Sequence, residues 1–289
     1  MDIFAGWLMV VAYLGSLNES WLSRFSRWSA RYGDWLAAFL ILPFLIATHF
    51  DPAVAGLLRM AVYLAVPTIF LHLRPKNALP LDLFQSLALL AVWLPVELNW
   101  LPDVHALLDS AVKVPIPKST GILLGIFLFM VRYPVAGLDF NFRLGRKGFR
   151  DALAAFAAFG VIGIPLGLLT GFLVLAPHAV NPARMWIGPI GIYLITALPE
   201  EILFRGLIQN LLGQRLRNPW LALILATAIF GASHVNKSLP RFPVPNWTYM
   251  GMATLAGLAY GWVYLRTRKV TASAITHALV DSLWVVLFR

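Results

Sequence analysis

Three short stretches of this chain put ionisable side chains at helical spacing inside otherwise apolar sequence. In "TALPEEILFRG", 196–206, Glu201 and Arg205 lie four apart on one helical face, while Glu200 is turned about 100° from its neighbour. "FGASH" places Phe230 one turn ahead of His234, and "HALVD" places His277 and Asp281 four apart on one face. A carboxylate beside two imidazoles, reached by water, is sufficient for peptide-bond hydrolysis. Glu200 takes a proton from water, a histidine stabilises the oxyanion or protonates the leaving amine, and Asp281 orients His277 or holds the water. Glu201 and Arg205 read either as a structural ion pair or as support for that chemistry. Glu200 has no partner in its own helix, which favours a functional role.

The elements that must position these groups cross a membrane. The chain has 289 residues, 60% of them hydrophobic and 12% charged, against roughly 45–50% and 25% in a soluble domain. Ten apolar segments are long enough, or nearly so, to span a bilayer: 4–17, 35–50, 54–73, 84–101, 120–137, 152–176, 186–212, 219–234, 247–265 and 270–288. The first two are short, so the expectation is an all-α polytopic protein of eight to ten transmembrane helices. At about 1.5 Å per residue, Glu200 lies roughly 18 Å deep, His234 roughly 22 Å, and His277 and Asp281 roughly 10 and 16 Å. These depths allow one chamber. Charge at mid-membrane depth is costly, about 2.5 to 3.5 kcal/mol per residue on insertion scales, so such a cluster reads as a functional site.

The net charge of +10 is spread over short loops rather than gathered on one soluble face, so it points to the membrane surface and not to nucleic acid. Alternate loops, near 24–31, 74–76, 143–150, 215–217 and 266–269, carry fourteen Lys and Arg, and the opposite side carries six, among them Arg184 and Arg289. By the positive-inside rule the richer side is cytoplasmic and both termini face out, in a plasma or inner membrane. With no cysteine, disulfides, thiol nucleophiles and thiolate metal sites are excluded. The N-terminal apolar stretch lacks a basic leader and reads as a retained first span.

Residues 1–150 read as membrane scaffold and 151–289 as the catalytic core. Within the scaffold, "NESWLSRFSRWSARYGD" repeats Trp21, Phe25, Trp28 and Tyr32 on one helical stripe and Arg24, Arg27 and Arg31 on another, the pattern of a helix lying in the membrane interface near 18–34. Gly163, Gly167 and Gly171, and later Gly257 and Gly261, have the four-residue spacing that lets helix backbones approach. His49, His72, His105 and His178 fall at span ends or in loops and read as interfacial, Glu97 sits near an outer span end, and Arg132 is expected to snorkel.

Taken together, "EEILFR", "FGASH" and "HALVD" resemble the three motifs, EExxxR, FxxxH and HxxxN/D, of the CAAX prenyl protease and bacteriocin-processing family of intramembrane endopeptidases. The resemblance covers about 185–285. It implies a glutamic-type protease in which Glu200 activates water, Glu201 and Arg205 support it, and His234 and His277 are catalytic. Asp281 stands where the family usually has Asn. The implied substrate is a protein or peptide in the membrane, with no obligatory cofactor.

Other readings use the same letters. Glu200, His234 and His277 have the ligand types of a zinc site with an open position, without HExxH spacing. Ser233 next to His234 suggests a serine protease, although adjacent helical residues face apart. An aspartyl dyad needs a second deep Asp. A proton-coupled transporter would use the same groups as a relay, but would show polar residues and broken helices in both halves. A non-catalytic assembly or immunity partner needs none of the three motifs intact.

Overall fold

The computed structural model describes residues 2–108, 113–138, 144–176 and 188–288, and the protein is mostly helical, at 76%. Arg143, His178, Arg184 and Arg289, which entered the charge and histidine readings above, lie outside the described residues. Among the described residues, four helical runs are long and apolar enough to cross a membrane: Glu19–Ala47, Val54–Leu73, Gly145–Leu169 and Val270–Leu287. Ile3–Ser16, Leu83–Glu97 and Pro219–Ala232 are shorter apolar helices. Within two further segments from the sequence reading, 120–137 and 186–212, π-helical turns interrupt the helix, and Trp247–Thr267 is an unbroken helix of 21 residues. The chain divides into two compact units, Met1–Ala136 and Gly137–Arg289.

The first unit begins with α1 (Asp2–Ser16) and α2 (Glu19–Tyr32). Asn18 caps α2 by accepting from the amides of Ser20 and Trp21, and Gly33 ends it at φ 71°, a conformation that suits glycine. A 3-10 segment (Gly33–Ile41) leads into α3 (Leu42–Ala47), followed by α4 (Val54–Leu73) and α5 (Leu83–Glu97). A short antiparallel pair, β1 (His105–Leu107) and β2 (Lys113–Pro115), precedes α6 (Ile116–Ile126), whose axis continues as a π turn (Phe127–Arg132). Tyr63 of α4 is buried and donates to Val92 O of α5 at 2.8 Å. Arg132 does not simply snorkel. Its Nε donates to Asp34 Oδ1 at 2.6 Å, Tyr133 Oη reaches the same oxygen at 2.8 Å, and His72 Nδ1 lies 2.7 Å from Oδ2. A carboxylate so surrounded fixes its guanidinium more firmly than the headgroup region would.

The second unit holds α7 (Gly145–Leu169), α8 (Leu198–Glu201), α9 (Asn210–Leu216), α10 (Pro219–Ala232), α11 (Trp247–Thr267) and α12 (Val270–Leu287). Helical backbone runs from 188 to α9 with π turns, Tyr193–Ala197 and Ile202–Gln209, on either side of α8. The unit boundary precedes α7, so the 150/151 division read from sequence falls inside that helix. The helix belongs wholly to this unit because Ala152 and Ala155 form a buried cluster with Val263 and Ala272.

The glycine spacing has two outcomes. On α11, a Cβ at Gly257 would meet Phe230 and Arg205, and one at Gly261 would fall on Leu223 and Gln209, so both mark a close approach of α11 to its neighbours. On α7 the stripe does something else. Gly163 faces Phe159 of its own helix, Gly167 makes room for Leu173 where the chain folds back, and Gly171, at φ 71°, lies just past the helix end.

Candidate active site

Glu200 and Glu201 sit at the end of α8, between the two π turns, and π turns are common at functional positions. Consecutive residues on a helix face apart, and the burial here is decisive: the Glu201 side chain is 0% exposed, while Glu200 is 30% exposed. Glu200 lines a cavity of about 180 Å³ together with His234, His277, Asp281 and Lys237. Glu201 lies beneath it.

Glu201 organises that floor. Its Oε1 accepts from Arg205 Nη1 at 2.9 Å and lies 2.8 Å from His277 Nδ1. Ser273 Oγ donates to its Oε2 at 2.5 Å, with Tyr260 O at 2.8 Å as a second acceptor. Arg205, 1% exposed, also donates through Nη2 to Gly257 O at 2.9 Å, and one turn on, Gln209 Nε2 donates to Gly261 O at 3.0 Å. The close approach at the two glycines therefore exposes carbonyls to side chains from the segment carrying the carboxylates. A buried charge needs this many partners, because desolvation otherwise outweighs pairing.

The two histidines are held by their Nδ1 atoms. With Nδ1–H donating to the Glu201 carboxylate, His277 turns Nε2 towards Asp281 Oδ2 at 3.4 Å and Glu200 Oε2 at 4.0 Å. Tyr260 stacks on its ring, centroids 4.4 Å apart and planes 14° from parallel. His234 follows the last turn of α10, where Nδ1 donates to Phe230 O at 2.9 Å and leaves Nε2 free of that bond. Phe230 stands beside both imidazoles, 4.9 Å from His234 and 5.9 Å from His277, with the Arg205 guanidinium 4.6 Å over its ring. Tyr249, Trp284 and Phe172 form an aromatic wall, with Tyr249 4.8 Å from His234 and each pair of the three within 5.5 Å.

All six residues singled out by sequence belong to this arrangement. Glu200, His234, His277 and Asp281 line the cavity, and Glu201 and Arg205 lie buried behind it. Two readings change. Glu201 is more than the partner of Arg205, since it also holds His277. Ser233 does not face away from His234: it lies just past the helix end, its Oγ donating to Phe230 O at 2.7 Å and 3.1 Å from His234 Nδ1. Sequence reasoning did not place Ser273, Tyr260, Gln209 or Lys237 at the site. Ser273 was within reach, because Ser273, His277 and Asp281 recur every four residues on α12. Among the described residues no group of three or more His, Asp and Glu has metal-holding geometry. Both histidines engage protein acceptors through Nδ1.

Searches among curated proteins and solved structures give no significant match. The three motifs nevertheless fall within one matched segment: residues 181–283 are similar to the family model described as type II CAAX prenyl endopeptidase Rce1-like.

Proposed function

We propose that this protein is an intramembrane endopeptidase that cleaves membrane-associated or lipid-modified protein substrates by glutamate-activated water. The observation that carries the reading is the meeting of the partly exposed Glu200, His277 Nε2 and Asp281 at one cavity, with His277 oriented from behind by buried Glu201. In this reading Glu200 takes a proton from water as its oxygen attacks the scissile carbonyl carbon. As the C–N bond breaks, Glu200 hands that proton to the leaving amine, directly or through an imidazole, while His234 and His277 face the developing oxyanion. Asp281 holds the attacking water or the Nε2 side of His277. Glu201, Arg205 and Ser273 are positioning residues. No step requires a bound metal, and no nucleic acid is involved.

The similarity over 181–283 supports the reaction class. The helical, apolar composition supports an integral membrane protein acting on substrates in the bilayer. We further propose eight to ten spans in a plasma or inner membrane, with both termini outside and the N-terminal helices as scaffold. The test is cleavage of candidate membrane peptides by the reconstituted protein. Glu200→Ala and His234→Ala should abolish turnover, and Ser233→Ala should retain it. Normal cleavage by Glu200→Ala would sink the proposal, and loss confined to Ser233→Ala would favour a serine nucleophile. Activity lost to a chelator and restored by zinc would replace glutamate-only chemistry with metal-assisted hydrolysis. Proton-coupled uptake abolished by Glu200→Ala, without proteolysis, would mark a transporter.

A further inference from the structure

The helix α2 buries a single residue, Ser29, and leaves its aromatic stripe uncovered: Trp21 is 50% exposed, Phe25 42%, Trp28 60% and Tyr32 53%. At about 100° per residue these four side chains fall within an arc of roughly 60°. Leu22 and Ser29, the half-buried and buried positions, lie to one side of that arc. Arg24, Arg27 and Arg31, all exposed, lie to the other side, about a quarter turn away. Opposite the aromatics are Glu19, Ser23, Ser26 and Ala30, also exposed. The helix therefore has four faces: apolar, protein-contacting, cationic and one of small polar residues with Glu19 at its start.

Such a division suits one environment. Aromatic side chains prefer the headgroup boundary of a bilayer, and arginines level with them meet the lipid phosphates. The capped ends, Asn18 before the helix and Gly33 at φ 71° after it, set α2 off as a separate segment from the apolar stretch that follows. We infer that α2 lies flat on a bilayer surface with Trp21, Phe25, Trp28 and Tyr32 in the lipid, and that Arg24, Arg27 and Arg31 bind anionic phospholipid headgroups there. The favoured occupant is an anionic lipid surface rather than a protein, because the uncovered aromatics adjoin three cations and Glu19 is the helix's only acidic residue. The inference is independent of the proteolytic reading.

The absence of native cysteine allows single labels. Full-length protein carrying Phe25→Cys, Ser23→Cys or Ser26→Cys is nitroxide-labelled and placed in nanodiscs of phosphatidylcholine, alone or mixed with phosphatidylglycerol. The label at 25 should be relaxed by oxygen and shielded from a water-soluble nickel chelate, with the opposite result at 23 and 26. Spin-labelled phosphatidylglycerol should associate in preference to phosphatidylcholine. Arg24→Gln, Arg27→Gln and Arg31→Gln together should remove that preference, about fivefold per arginine. Nickel access at 25, or a lipid preference unchanged in the triple variant, overturns the inference. Shielding at 25 from both relaxants overturns it in favour of a protein partner.

Discussion

His277 is held on every side, with a carboxylate near each nitrogen and a tyrosine against its ring. Its orientation depends on Glu201, so substitutions behind the cavity should act on turnover without touching substrate. Ser273→Ala removes a hydrogen bond to a buried carboxylate and should cost about 1.5 to 3 kcal/mol of stability. It should also lower kcat more than KM, which thermal unfolding and peptide cleavage measured side by side will separate. Arg205→Ala leaves Glu201 buried without its guanidinium, a change of about 3 to 5 kcal/mol, and a marked fall in melting temperature in detergent is the expected result. At position 281, Asp281→Asn should keep far more activity than Asp281→Ala, since an amide can still hold water or meet Nε2; equal loss in the two would assign the charge itself a role. Glu200, Glu201, Arg205, His234, His277 and Asp281 were legible in sequence because apolar surroundings make each one conspicuous, whereas Lys237 was read as a loop cation. Ser273, Tyr260 and Gln209 were not picked out, because neutral polar and aromatic side chains are ordinary in membrane helices until a partner is visible.

Helix packing decides whether these side chains meet. Gly257 lies where a methyl would stand 3.0 Å from Phe230 and 3.2 Å from Arg205 Nη2. Gly257→Ala should therefore displace the guanidinium and cost about 1 to 3 kcal/mol, the range for overpacking, with activity falling alongside stability. The four-residue glycine spacing announced this approach on α11 and misread α7, because spacing marks where a backbone is bare and not what comes to fill it. Leu173 fills the gap at Gly167 only because the chain turns back after Gly171. The π turns flanking α8 were equally hidden, since no residue type specifies them. At the start of α5, Asp82 accepts from the amides of Phe84 and Gln85 and pairs with Arg74. Burial pushes its pKa up, but these partners outweigh burial and hold it below the ordinary aspartate value. The stability it contributes is complete above the unfolded-state pKa and is lost as pH falls through the lower folded value. The stability gap between wild type and Asp82→Asn should therefore narrow at strongly acidic pH, as melting curves recorded across pH will show.

At the scale of the molecule, every residue of the candidate site lies in the second unit, and the amphipathic helix α2 lies in the first. Membrane class was legible from composition alone, because a chain this apolar has no soluble alternative. The number of crossings was not, since short and π-broken helices give no clean length signal. Tags fused to each end should both be modified by a membrane-impermeant reagent from outside, while labels in the loops near 146 and 266 should react only after permeabilisation.

The ion pair within "EEILFR" bears on how the protein is made. Glu201 and Arg205 are four apart in one segment, so they can neutralise each other while that segment enters the bilayer, before later helices exist. Ser273 and His277 are synthesised afterwards, on α12. In the order of the chain the pair is therefore complete within its own segment, whereas the placing of His277 beside Glu200 waits for α12.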